Sequence, residues 1–159
     1  EAFYLILDNN INTTIHAGED YGPESIHQAL HYCGAHRIGH GVKLKKDGDL
    51  LNYVNDHRVP LEICLTSNIH TGSVDKIENH PFKFYYDYGL RVTLNTDNRL
   101  ISNTTLTDEY MLAYKHFDLE IPDFKEIIIN SFKSAFLPHR TRTELIKKIA
   151  NELDTYVSV

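Results

Sequence analysis

The sequence predicts an α/β protein built on a parallel sheet, and three observations carry that reading. Short β-branched runs alternate with segments whose apolar residues recur at helical spacing. The connections between them are compact, with no low-complexity or Pro/Ser-rich linker. Polar residues of chemical interest fall where strand signals end, and ligands bind at the carboxyl ends of strands in α/β sheets. Parallel strands require a crossover connection, which the intervening helices supply.

The first strand is expected over Asn12 to His16. Pro23-Glu24-Ser25 then opens a helix whose apolar face runs through Ile26, Ala29, Leu30 and Cys33. Arg37 to Gly39 reads as the second strand. Lys46-Asp47-Gly48 leads into Leu50, Leu51 and Val54 at helical spacing, and Val59 to Leu65 forms the third strand with Pro60 near its start. Phe82 to Tyr88 reads as a short helix closed by Gly89, and Leu90 to Asn95 as the fourth strand. Beyond these, helices are expected over Thr107 to Phe117, Pro122 to Phe136 and Thr141 to Tyr156, the last opened by a capping box at Thr141-Arg142-Thr143-Glu144.

Composition narrows the function classes. A chain of 159 residues has room for one domain or a piece of one. Its net charge of −6, with scattered Lys and Arg, provides no basic stripe for a phosphate backbone, so nucleic acid is not an expected partner. No apolar run has the roughly 18 residues of a membrane span, and no secretory leader is visible, which makes the cytoplasm the expected location. Cys33 and Cys64 lie far apart without a CxxC pair and suit a reducing compartment.

Three clusters carry chemistry. His16-Ala17-Gly18-Glu19 separates a borderline nitrogen donor from a carboxyl by two small residues, a spacing that also describes a surface salt bridge or a cap. Gly39-His40-Gly41 strips side chains from both flanks of an imidazole, as a turn histidine also would. Asn95-Thr96-Asp97-Asn98 closes the fourth strand, where a turn or helix N-cap is the alternative. What unites them is a shared rim at the strand ends. His27 and His31 lie one helical turn apart but lack the adjacent Glu of a zincin, and read as a solvated helix face. The tyrosines around Tyr85, Tyr86 and Tyr88 read as packing residues.

Together, Ile15-His16-Ala17-Gly18-Glu19-Asp20, Arg37-Ile38-Gly39-His40-Gly41, Leu61-Glu62-Ile63-Cys64 with Ser67-Asn68, and Leu94-Asn95-Thr96-Asp97-Asn98 resemble the ordered signatures of the adenosine deaminase family. The region from Ile129 to Phe132 and from Ser134 to Leu137 is similar to that family's C-terminal helices, so the likeness covers essentially the whole chain. The resemblance implies a TIM-type (β/α)8 barrel, of which residues 1–159 supply about the last four β/α units plus C-terminal helices, as the C-terminal half of one barrel domain. It implies one zinc ion and hydrolysis of adenosine and 2'-deoxyadenosine, small-molecule purine nucleosides, to the inosine form plus ammonia in purine salvage.

By the same resemblance, His16 and Asp97 are zinc ligands, Glu19 is the acid that protonates purine N1, and His40 orients the attacking water and takes its proton. Asn98 stands where many members place a second Asp on purine N7, and an amide can donate a hydrogen bond there. Zinc lowers the pKa of a bound water toward about 7. The family's His-x-His strand, which gives two more ligands, is not among these residues, and a catalytic zinc site has three protein ligands. The chain alone is therefore expected to bind zinc poorly, to be inactive, and to associate through exposed half-barrel edges. Another aminopurine, such as AMP, adenine or a modified adenosine, is the alternative substrate, and a non-catalytic barrel fragment the alternative class. The cytidine-deaminase type of site, with His-x-Glu and Pro-Cys-x-x-Cys, is absent.

Overall fold

The computed structural model describes residues 2–157. Among them, four strands form one sheet: β1 (Thr14–Ala17), β2 (Arg37–His40), β3 (Leu61–Ile63) and β4 (Val92–Leu94), in the order β1-β2-β3-β4. Every neighbouring pair is parallel, with Ile15 opposite Ile38, Ile38 opposite Leu61, and Leu61 opposite Val92. Sequential order with parallel pairing means that each connection crosses over in the same sense, the topology of a barrel wall.

The helices are α1 (Ala2–Asp8), α2 (Pro23–His31), α3 (Gly48–Asp56), α4 (Leu65–His70), α5 (Phe82–Asp87), α6 (Arg99–Ser102), α7 (Leu106–His116), α8 (Ile121–Ser134) and α9 (His139–Val157). Apolar spacing decides what they bury. Ile26 and Ala29 of α2, Leu50, Leu51 and Val54 of α3, Phe82 and Tyr85 of α5, and Ile127 of α8 join Ile38, Leu61, Ile63, Val92 and Leu94 in one core. Burying each large apolar side chain contributes about 1.5–3 kcal/mol. The structure is therefore a partial α/β barrel with its helices packed outside the sheet.

Arg37 at the start of β2 fastens sheet to C-terminal helices. Its Nε donates to Thr14 Oγ1 (2.8 Å) and lies 3.0 Å from Glu62 Oε1, while its guanidinium sits 3.7 Å above the Phe136 ring and donates to Ser134 O.

Several boundaries differ from the sequence expectation. The strands are shorter, because side chains and helix ends take over their terminal hydrogen bonds: Thr13 N donates to His36 Nδ1, Val59 N to Val54 O, and Leu65 already opens α4. Helix α2 ends at His31 instead of reaching Cys33, since Gly34 is left-handed and Ala35 N returns to Ala29 O. The capping box expected at Thr141 is not formed. Helix α9 begins at His139, and Thr143 Oγ1 bonds back to His139 O, so Thr141 lies inside the first turn. Capping boxes occur instead at Thr105 with Asp108 and at Glu120 with Asp123.

Candidate active site

At the carboxyl end of β1 the chain turns through Gly18, whose φ of +68° is left-handed. A Cβ there would approach Ile26 Cδ1 to 2.4 Å, so both space and backbone conformation call for glycine. Gly18 N accepts no freedom either: it donates to Ser25 Oγ, and Gly18 O receives Lys43 N. This anchored turn carries Glu19 into a buried position while the His16 side chain stays 66% exposed at the rim. Glu19 Oε1 accepts from Asn68 Nδ2 (2.9 Å) and Thr71 Oγ1 (3.0 Å), and Oε2 lies 3.2 Å from His16 Nε2.

His40 ends β2 in a left-handed conformation, φ +68°, followed by Gly41 at +70° whose N–H reaches Ala17 O. Non-glycine residues rarely adopt that region, and they cluster at functional sites when they do. His40 is buried, with Nδ1 3.0 Å from Asn68 Nδ2 and 3.7 Å from Glu19 Oε1, and its ring centroid is 4.5 Å from that of His16. Burial lowers its pKa below the usual 6.5, opposed by the Glu19 charge, lowered further by His16 and opposed again by Asp97. The imidazole is thus held in its basic, neutral form at neutral pH.

The structure brings His16, Glu19 and His40 together, their ligand atoms all within 4.8 Å of one another, and leaves Asp97 outside that set. Asp97 stands exposed beyond β4, also left-handed at φ +54°, with Oδ2 accepting from Ser67 Oγ at 2.7 Å. Asn98 is the N-cap of α6, its Oδ1 accepting from Ile101 N at 3.1 Å, which leaves the amide N–H groups as donors. Imidazole and carboxylate donors suit zinc. Among the described residues, the donors that lie close enough together to share one ion are those of His16, Glu19 and His40.

Ser67, Asn68 and Thr71 stand at the end of β3, on and just after α4, and sequence reasoning assigned them no chemistry. Their signal was a polar Ser67-Asn68 pair following the one strand end to which no reacting group had been assigned. His80 was missed altogether. The pair His27 and His31 is exposed on α2, in an aromatic row with Tyr53 and His57 on the outer surface, as expected of a solvated face. Tyr85 is fully buried and Tyr86 packs half-buried against the core, as packing residues should, whereas Tyr88 is exposed.

The parallel α/β wall has the fold of solved amidohydrolase structures. One such amidohydrolase from Burkholderia ambifaria, a crystal structure with bound Zn, superimposes with a TM-score of 0.91 at 20% identity, over 99% of this chain and 44% of that one. The chain belongs to the adenosine deaminase family, whose model matches residues 1–152. An adenosine deaminase from Clostridium acetobutylicum is 44% identical over 149 residues, covering 94% of this chain and 45% of the relative. The Arabidopsis ADAL protein, in a crystal structure with IMP, aligns at a TM-score of 0.80 and 28% identity, over 94% of this chain and 44% of that one. The chain thus spans a little under half the length of the relatives it matches.

Proposed function

We propose that the protein is a zinc-dependent hydrolase that converts adenosine and 2'-deoxyadenosine to their inosine products, consuming one water and releasing one ammonia. The observation that carries this reading is Glu19, a buried carboxyl at the rim, set beside His16 and a neutral His40. In that pocket Glu19 protonates purine N1, which makes C6 electrophilic. His40 orients the attacking water, and Asn98 donates to N7. His16 and Asp97 would be among the residues that hold the zinc, which when bound would lower the pKa of a water at the site. Purine salvage in the cytoplasm is the setting that suits this chemistry; among the described residues no helix is long and apolar enough to cross a membrane.

Residues 1–159 form part of one barrel domain, and two protein ligands fall short of the three of a catalytic zinc site. A polypeptide limited to these residues should therefore show no adenosine turnover in the assay below.

Metal analysis and an adenosine-to-inosine absorbance assay on the full-length protein test the reading. Adenosine should be turned over in preference to AMP, adenine and N6-modified adenosine. Turnover of AMP without adenosine would overturn the substrate. Glu19→Gln should keep zinc and lose most turnover, and Asp97→Ala should lose both; an active Glu19→Gln enzyme removes Glu19 from the role of acid.

A further inference from the structure

His80 and Asn68 form a buried relay whose polarity can run in one direction only. The backbone N–H of Phe82, which can only donate, points at His80 Nδ1 from 3.0 Å. That nitrogen must carry a lone pair, so the His80 proton resides on Nε2. Nε2 lies 3.1 Å from Asn68 Oδ1. The Asn68 amide is thereby oriented with Nδ2 toward the site, where its two hydrogens meet Glu19 Oε1 at 2.9 Å and His40 Nδ1 at 3.0 Å. A flipped amide would set Oδ1 against a carboxylate oxygen and force His80 Nδ1–H against Phe82 N–H. His80, Asn68 and His40 are all buried, so water does not compete for these bonds.

We infer that Asn68 and His80 are positioning residues that fix the tautomer of His40 and the oxygen that Glu19 turns to the rim. His40 Nδ1 is occupied as an acceptor, which places the His40 proton on Nε2. Glu19 Oε1 is filled by Asn68 and by Thr71 Oγ1, which leaves Oε2, the oxygen beside His16, as the one turned to the rim. His40 is thus left with an Nε2–H donor that orients a water by its oxygen, rather than a lone pair that takes its proton, and Glu19 with Oε2. The consequence for turnover rests on the proposed roles of Glu19 and His40; the proton assignment itself does not.

The test is long-range proton–nitrogen NMR on the full-length protein labelled with 15N-histidine, read alongside kinetics. His80 and His40 should each show one tautomer, protonated at Nε2. His80→Gln keeps a donor toward Asn68 and should preserve that pattern at His40. His80→Leu frees the amide to flip, and should mix the His40 tautomers and lower kcat about 10- to 100-fold with KM little changed, the range seen when an orienting partner is removed. Asn68→Asp keeps the shape, removes the donor, and should move the His40 proton to Nδ1. A wild-type His40 protonated at Nδ1, or one unmoved by both His80→Leu and Asn68→Asp, overturns the relay. The expected tautomers support it even where no aminopurine is turned over, so a failed deaminase assay is told apart from a failed relay.

Discussion

At the scale of single residues, burial sets the chemistry. His80 has its pKa pushed down to about 3, chiefly by burial and then by the charges of Lys45 and His40. As pH falls below the ordinary 6.5 the unfolded chain binds a proton that the folded protein refuses until about 3. Stability is therefore full above 6.5 and declines between those values, at about 1.4 kcal/mol per pH unit. Urea unfolding at neutral and mildly acid pH should show a shallower acid loss for His80→Gln than for wild type; parallel losses would contradict the assignment. Gly18 sets a second limit. Gly18→Ala combines a positive φ with a 2.4 Å approach to Ile26 Cδ1 and should cost about 1–3 kcal/mol, read as a lower urea midpoint. Cys64 is buried and its thiol pKa is raised far above normal, by burial first and by Asp97, Glu109, Glu62 and Glu19 in turn. Native alkylation should reach the half-buried Cys33 and spare Cys64.

At the scale of elements, short helices hold the strand-end residues in place. Tyr85 of α5 donates its hydroxyl to Gly41 O and Val42 O, at 3.0 and 2.9 Å, and accepts from Lys45 N. The helix behind the sheet thereby fixes the turn that follows His40. Tyr85→Phe leaves those groups unpaired and should cost about 1–3 kcal/mol, measured by thermal or urea unfolding. From α4, Ser67 grips Asp97 at 2.7 Å. Ser67→Ala should weaken zinc affinity about 10- to 100-fold in a competitive chelator titration of the full-length protein. Unchanged affinity would show that Asp97 is held by its backbone alone.

At the scale of the whole molecule, the sheet ends at β1 and β4, and neither outer edge is paired among the described residues. Beside β4 a groove of about 1090 Å³ runs past Leu94, Asp97, Tyr110 and Ile128, and Leu100 and Ile101 of α6 are 93% and 80% exposed. Open edges and uncovered apolar surface favour association. A polypeptide limited to residues 1–159 should dimerise or precipitate, and a well-behaved monomer on size-exclusion chromatography would contradict this.

Local pattern made the strand–helix alternation legible, because a period of two or 3.6 residues is written in neighbouring positions, and it placed His16, Glu19, His40 and Asp97 at strand ends. Element boundaries were less legible, since tertiary hydrogen bonds such as Thr13 N to His36 Nδ1 settle them. The sequence by itself determined the family, the parallel order and the residues of the rim. Only the tertiary structure decided that Glu19 is buried while His16 is exposed, that Asp97 stands apart in the grip of Ser67, and that Asn68 joins Glu19, His40 and His80. Those last contacts span 49, 28 and 12 residues. Hydrogen bonds closed over such distances arise from the crossing of strands and helices and leave no periodic trace in the chain.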